Sequence, residues 1–250
     1  MAARVELPPL VPSVKRSTFR VHDPDREEAD EGYRRVRLSV LQRDRFTCRF
    51  CGFVTMPERQ RGAGGRASQV DPSSYAASGF LEVHHLNDDH TDNRPDNLVT
   101  ACPFCHQVFH CGNAGHRDAA NVIFFPWLSQ AEVNILANAA ACAIANDGMY
   151  VHAGRTFFAW LRSTESMVVE HFGESFTSAA NLGSVLMTLS HEAPDLYERR
   201  GVVLRGIRLL PKPDAFDRHV KHWRENAWQP EKYWEGFHIE YRNEVEQGTA

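Results

Sequence analysis

The sequence predicts an α+β fold in which a small mixed region is followed by a mainly helical one. Residues 80–85 alternate in the manner of a strand with one buried face. Ser129 is followed three positions later by Glu132, the capping-box pattern that begins a helix, and an alanine-rich stretch then runs to position 145. Cysteine pairs of C-x-x-C spacing lie on either side of the predicted strand: Cys48 with Cys51, and Cys102 with Cys105.

Composition divides the chain into four segments. Residues 1–32, rich in proline and acidic residues, are expected to form an extended arm. Residues 33–128 contain every metal-binding motif, and a glycine-, serine- and arginine-rich stretch within them, residues 59–79, predicts a flexible insertion. Residues 129–228 carry helical patterns. Residues 229–250 form a tail in which aromatic and acidic residues alternate.

Charge and hydropathy exclude two classes of protein. The 250 residues carry a formal net charge of −4, which argues against a bulk nucleic-acid binder. The first residues contain no apolar core of signal-peptide length. The longest apolar run, residues 133–145, is too short to span a bilayer. We therefore expect a cytoplasmic protein without direct membrane insertion, in which paired cysteines indicate metal binding rather than disulfides.

The paired cysteines predict one structural zinc site. Zinc prefers four thiolates in tetrahedral geometry, and a gap of two residues lets consecutive thiolates reach one ion from a tight turn. Gly52 permits the backbone turn that follows the first pair. A redox C-x-x-C is the alternative, but neither pair lies in a thioredoxin-like pattern. Cys111 and Cys142 fall outside the pairs and are expected to be small buried thiols.

Several histidines predict a second site. His84 and His85 point to opposite faces of a regular strand, but both can approach one cleft if the strand frays into the following turn. One could then bind a metal while the other deprotonates a water. His106 and His110, one helical turn apart, could complete the metal site, and Asn97 would hold the loop by hydrogen bonds. Taken singly, each histidine is better explained by packing, capping or exposure.

Four short motifs between residues 37 and 110 occur in a recognisable order. They are residues 43–48 (Arg-Asp-Arg-Phe-Thr-Cys), 82–85 (Glu-Val-His-His), 96–102 (Asp-Asn-Leu-Val-Thr-Ala-Cys) and 105–106 (Cys-His). With them, this part of the chain resembles the HNH endonucleases of the ββα-metal family. The resemblance implies His85 as the general base and Asn97 as a positioning residue. It also implies a second divalent metal, with His84 and His106 as ligands and His110 as a third.

A longer series of motifs extends over residues 13–228. It consists of residues 14–17 (Val-Lys-Arg-Ser), 102–109 (Cys-Pro-Phe-Cys-His-Gln-Val-Phe), 125–132 (Phe-Pro-Trp-Leu-Ser-Gln-Ala-Glu), 145–147 (Ala-Asn-Asp), 169–174 (Val-Glu-His-Phe-Gly-Glu) and 207–211 (Ile-Arg-Leu-Leu-Pro). The series resembles the IcmJ (DotN) family of Dot/Icm type IVB secretion systems. This resemblance implies a soluble part of the coupling complex, recruited to the inner membrane by its partners. There it would act as an adaptor or scaffold against the tail of the coupling ATPase.

Two functions therefore compete. The adaptor, with a structural zinc and a helical partner surface, explains the whole length and the acidic balance, and we favour it. The alternative is a metal-dependent HNH endonuclease that cleaves DNA phosphodiesters with His85 as general base. It explains the complete histidine and asparagine set, which adaptor members of the family can dispense with. Eight arginines within residues 34–61 could contact phosphates, although such clusters are more often solvated helix faces.

Overall fold

The computed structural model describes residues 6–16, 26–55 and 72–226. The predicted tail, residues 229–250, lies outside these ranges. Residues 1–5 and 17–25 of the predicted arm and residues 59–71 of the predicted insertion also lie outside them. The strands are β1 (Glu82–His85), β2 (Leu98–Ala101), β3 (Ala120–Phe124) and β4 (Ile207–Pro211). The helices are α1 (Arg26–Arg43), α2 (Pro72–Ala77), α3 (Pro103–His106), α4 (Cys111–His116), α5 (Gln130–Ala145), α6 (Val151–Ser163), α7 (Glu165–Phe172), α8 (Ala179–Glu192), α9 (Pro194–Glu198), α10 (Arg200–Val203) and α11 (Asp217–Asn226).

Helices predominate, and the strands form two small antiparallel sheets. This mixed composition confirms that the fold combines helices and strands, as the sequence predicts. The finer assignment to the HNH arrangement stays a prediction. Within the described ranges, no helix is both long and apolar enough to cross a membrane.

Helix α1 begins earlier than the sequence predicts. It starts at Arg26, inside the segment 1–32 that was expected to be an extended arm. Glu27 and Glu28 occupy its first turn and Arg43 its last. Acidic side chains near the N-terminus and a basic one near the C-terminus both stabilise the helix dipole. The acidic composition of this segment therefore marks the start of a helix rather than the body of an arm.

Part of the predicted flexible insertion, residues 59–79, is also helical. Helix α2 buries Tyr75 and Ala76. The ring of Tyr75 packs edge-on against Phe46 at a centroid distance of 5.6 Å, and its hydroxyl donates to the carbonyl of Thr55 (3.1 Å). Burial of one aromatic ring therefore orders the end of a stretch whose composition indicates a loop.

The first sheet pairs β1 with β2 and carries His84 and His85, two of the predicted site residues. Glu82 lies opposite Ala101, His84 opposite Val99 and His85 opposite Leu98. All four residues of β2 are buried. A short 3-10 helix, Pro95–Asn97, leads into β2, and α3 follows that strand after Cys102. Strand, strand and helix are thus consecutive around the predicted site.

The second sheet joins the two regions that the sequence separates at residue 128. Strand β3 precedes that boundary, whereas β4 lies in the segment expected to be helical. Their register places Ala120 opposite Pro211 and Phe124 opposite Ile207. The pairing buries four of the five residues of β4, which explains why this segment is extended. The region after residue 128 is therefore mainly helical but supplies one strand to a shared sheet.

Helix α5 is packed on nearly all sides because its side chains are small. The predicted capping box is present: the hydroxyl of Ser129 accepts from the amide of Glu132, whose carboxylate accepts from the amide of Ser129. Val133, Ala137 and Ala140 are buried further along the helix. Helix α6 crosses α5 closely at Gly154, where a Cβ would lie 2.8 Å from the carbonyl oxygen of Ala140. Small residues on both helices permit this approach.

The contact between α4 and α8 gives a test of the packing. A Cβ added at Gly115 would lie 1.9 Å from the amide nitrogen of Ala180, so we expect Gly115→Ala to lower the free energy of unfolding by about 1–3 kcal/mol through overpacking. Gly112→Ala in the same helix is the matched control, because a Cβ there meets no atom within 4 Å. Urea unfolding followed by circular dichroism measures both. Equal losses in the two variants would contradict the packing.

Candidate metal centres

The first cysteine pair lies in a tight knuckle. The amide of Gly52 donates to the carbonyl of Cys48 (2.9 Å), and the amide of Cys48 donates to the carbonyl of Phe53 (2.9 Å). Gly52 has a φ of +76°, a left-handed conformation that glycine adopts without a steric penalty. This turn brings Cys51 back towards Cys48, so that both sulfurs face the same point.

The second cysteine pair begins helix α3. Cys102 is the N-cap residue, and Pro103 occupies the first turn, where a missing N–H costs no helical hydrogen bond. The sulfurs of Cys51 and Cys102 are 3.8 Å apart. In a tetrahedral site with zinc–sulfur bonds of about 2.3 Å, two ligand sulfurs stand about 3.8 Å apart. The four paired thiols all lie within 4.8 Å of one another, so they can hold a metal ion, and the donor set suits zinc.

The four sulfurs cannot all ionise without a compensating cation. Burial opposes ionisation of Cys48, but hydrogen bonds with the thiols of Cys102 and Cys105 hold its pKa well below the usual value. The hydrogen bond with Cys102 raises the pKa of Cys51 well above that value, and burial does the same for Cys105. Closely packed thiolates repel one another in a low-dielectric interior. A bound metal supplies the missing positive charge and displaces the protons.

Two buried amide side chains of α5 face the cysteines. Nδ2 of Asn134 donates to the carbonyl of Phe104 (3.1 Å) and to Sγ of Cys105 (3.3 Å). Nδ2 of Asn138 donates to Sγ of Cys102 (3.8 Å). In the sequence these asparagines only interrupt an apolar run. Their spacing of four residues, which places both on one helix face, is the signal that could have identified them.

Three histidines form a second cluster. His84 comes from β1, His106 ends α3, and His110 ends the 3-10 helix Gln107–His110; one ring nitrogen of each lies within 4.8 Å of the others. The continuous helix expected to carry His106 and His110 is thus divided into two short helices. The ring centroids of the two histidines are nevertheless only 4.6 Å apart. His84 also stacks on Phe109 (4.1 Å), so packing and clustering coexist. Their roles as metal ligands stay a prediction.

Burial keeps these three imidazoles neutral. It lowers the pKa of His84 to about 2, that of His110 to about 3 and that of His106 to about 4. The neighbouring rings add to the effect for His84 and His110, and the guanidinium of Arg37 adds to it for His106. A neutral imidazole has a lone pair that can bind a metal ion. The cluster is therefore in the ligand form at neutral pH.

His85 faces a different environment from His84, as the alternation of a strand requires. Its ring stacks on Tyr33 at 5.6 Å, and its Nε2 lies 3.1 Å from Oδ1 of Asn93. Burial lowers the pKa of His85. It nevertheless lines one cavity of about 260 Å³ with the three clustered histidines. Its role as general base stays a prediction, and its partner Asn93 was not identified from the sequence.

Asn97 fixes the loop that follows β1. Its Oδ1 accepts from the amide of Asn87 (3.1 Å), and its Nδ2 donates to Oδ1 of Asn87 (2.8 Å) and to the carbonyl of Asp92 (2.9 Å). These bonds agree with the loop-holding role predicted for Asn97. The catalytic role that the HNH resemblance implies for Asn97 stays a prediction.

The N-terminal segment brings a cation to the histidine cavity. The amide of Ser13 donates to the carbonyl of Val108 (2.9 Å), and the amide of Cys111 donates to the carbonyl of Ser13 (3.0 Å). These two bonds bracket His110 and place Lys15 in the lining of the cavity. Lys15 was not predicted from the sequence, because nothing local connects it with histidines that follow it by about seventy to ninety-five residues.

The fold and these clusters define a small mixed protein whose cysteine centre can hold a metal ion, with a histidine cavity nearby. No family model matches the chain. Over 200 residues it is 30% identical to the type 4 apparatus protein DotN of Legionella pneumophila, and the alignment covers 79% of this chain and 82% of that protein. The chain belongs to the DotN (IcmJ) family, which confirms the resemblance found in the sequence.

The metal content provides a direct test of the cysteine centre. We expect Cys48→Ser to lose one equivalent of zinc per chain, because three remaining thiolates cannot close the tetrahedral site. Cys142→Ala is the matched control, since Cys142 is another buried cysteine but lies outside the cluster. Elemental analysis of the purified proteins measures the difference. Equal zinc content in Cys48→Ser and the wild type would contradict the assignment.

Proposed function

We propose that the protein is an adaptor component of a type IV secretion apparatus. In this role it binds the tail of the coupling ATPase, and a structural zinc in the cysteine centre stabilises the platform. The observation that carries the proposal is the extent of the similarity to DotN. The alignment covers 82% of that protein, so it extends well beyond the segment that contains the metal motifs. The relative is named as a part of the type 4 apparatus. Recruitment to the inner membrane would follow from binding the ATPase.

An exposed aromatic surface supports a partner-binding role. Trp127 is 72% exposed and Trp160 is 49% exposed, and both rings pack edge-on against the buried ring of Phe125, at 5.1 and 4.9 Å. Indole rings are enriched in protein interfaces, where they contribute large contact areas. We call Phe125, Trp127 and Trp160 the aromatic surface. Trp127 immediately precedes the mainly helical region and Trp160 lies on α6, so both fall outside residues 37–110, the part of the chain that resembles nucleases.

The arginine cluster gives less support to a nucleic-acid function. Arg43 and Arg49 both pair with the buried carboxylate of Asp44, at 2.9 and 3.1 Å. The guanidinium of Arg37 donates to the carbonyls of Ala76 and Leu81. These three side chains hold the knuckle, β2 and the α2 segment together. Their donors are therefore used within the fold, although Arg37 also lines the histidine cavity.

One observation favours the second candidate, a metal-dependent HNH endonuclease. The nitrogens of His84, His106 and His110 converge as three metal ligands would, and His85 lines the same cavity. A divalent metal held there would act as a Lewis acid on a phosphodiester. His85, neutral and hydrogen-bonded to Asn93, would accept the proton of the attacking water. Asn97 would keep the loop in place.

Binding to the coupling ATPase tests the adaptor proposal. We expect the tagged cytoplasmic tail of the ATPase to capture the wild-type chain and His85→Ala with equal affinity. Replacing both Trp127 and Trp160 by alanine should weaken binding about tenfold or more. Indole rings that become buried when a complex forms contribute a large share of the binding free energy. The exposed Val202, replaced by alanine, is the control for a general surface change. Failure of the folded wild-type chain to bind the tail would contradict the proposal.

Plasmid nicking tests the alternative. The wild type, His85→Ala and the exposed-site control His171→Ala are incubated with supercoiled DNA in Mg²⁺, Mn²⁺, Ni²⁺ or Zn²⁺. If the protein is only an adaptor, we expect no nicking above the level of His85→Ala in any metal. Nicking that is retained in His171→Ala and disappears in a folded His85→Ala would establish the endonuclease and contradict a purely structural role.

A further inference from the structure

One face of α5 carries three amide side chains in the interior of the protein. Gln130, Asn134 and Asn138 follow one another at intervals of four residues, so they lie along one side of the helix. Gln130 is 2% exposed, and the two asparagines are 0% exposed. A buried amide is costly unless it is hydrogen-bonded. The hydrogen-bond partners of these side chains therefore explain how three amides can be buried on one helix. We call them the amide ladder.

The ladder runs from β4 to the cysteine centre. At its first step, Oε1 of Gln130 accepts from the amide of Leu209 (2.8 Å), and Nε2 donates to the carbonyl of the same residue (2.8 Å). Nε2 of Gln130 also donates to Oδ1 of Asn134 (2.9 Å). This hydrogen bond fixes the orientation of the Asn134 amide. The amide oxygen faces Gln130, so the amide nitrogen must point the other way. The NH₂ group is thereby aimed at Cys105.

The last two steps end on sulfur. Asn134 donates to Cys105 at 3.3 Å, and Asn138 donates to Cys102 at 3.8 Å. The two thiols that receive these bonds are the second cysteine pair, at the start of α3. Among the described residues, Oδ1 of Asn138 has no hydrogen-bond partner. The side chain of Asn138 is therefore held by the bond from its Nδ2 to Sγ of Cys102.

A zinc ion held by four thiolates carries a net charge of −2, which is unfavourable in an apolar interior. An N–H group aimed at a thiolate offsets part of that charge and orients the ligand. Groups that hydrogen-bond to metal ligands commonly change metal affinity by about 10–100-fold when they are replaced. The same bonds withdraw electron density from sulfur and so change how strongly it donates to the metal.

We propose that Asn134 and Asn138 are positioning residues of the metal centre. They hold the thiolates of Cys105 and Cys102 in the ligand geometry, and Asn134 connects the centre to β4 through Gln130. This inference rests on the structural zinc of the proposed function. It adds that the helical region itself controls how tightly the metal is held.

Cobalt substitution tests the proposal, because sulfur-to-cobalt charge-transfer bands report the electron density on the thiolates. The variants are Asn134→Leu and Asn138→Leu, which keep the approximate volume and remove the donor. Gln130→Leu is the matched control: it removes a buried amide of the same helix that does not touch sulfur. Zinc affinity is measured in parallel by competition with a chromophoric chelator, and stability by urea unfolding.

We expect each asparagine variant to shift the charge-transfer bands and to weaken zinc binding by about 10–100-fold. Gln130→Leu should lower stability and move the bands less than either asparagine variant, because the bond from Nδ2 of Asn134 to the carbonyl of Phe104 still holds that amide. Unchanged bands and affinity in both asparagine variants would overturn the proposal, as would the same loss in all three variants. If Asn134→Leu does not fold, Asn138→Leu decides alone. A folded wild-type chain that takes up neither zinc nor cobalt would instead refute the structural zinc, on which the inference rests.

Discussion

The convergence of four cysteine sulfurs is the constraint on which the rest of the site depends. The knuckle has little regular structure of its own, and α3 is a helix of four residues, too short to be stable alone. A shared metal ion would fix the two relative to each other. Since α3 ends at His106 and leads directly to His110, the place of the cysteines also determines where the histidine cavity forms.

The buried carboxylate of Asp44 reinforces this arrangement from the other side. It receives the guanidinium groups of Arg43 and Arg49 and the amide of Thr100. One residue therefore ties the end of α1, the knuckle and β2. Multiple donors hold the pKa of Asp44 below its usual value although burial opposes this. The charge of these two arginines is thus used to assemble the scaffold around the knuckle.

Local patterns could be predicted from the sequence, whereas long-range contacts could not. Cysteines separated by two residues and a capping box of four residues each report on one turn of chain, and the structure contains both. The pairing of β3 with β4 escaped prediction, because a strand of five residues between helical segments gives a weak signal. The bonds from Asn134 to sulfur and the approach of Lys15 to the histidines depend on the tertiary fold, which no local pattern specifies.

The shared sheet also has a consequence for how the chain matures. About eighty residues separate β3 from β4, so the ribosome releases the four paired cysteines and the three clustered histidines well before the strand that closes the sheet exists. Closing so long a loop is slow, and until then β3 presents an open edge that can pair with other chains. Early capture of a metal ion by the nascent cysteine pairs would keep this first half compact during that interval. Metal supply in the cell would then govern the yield of intact protein as well as its final stability.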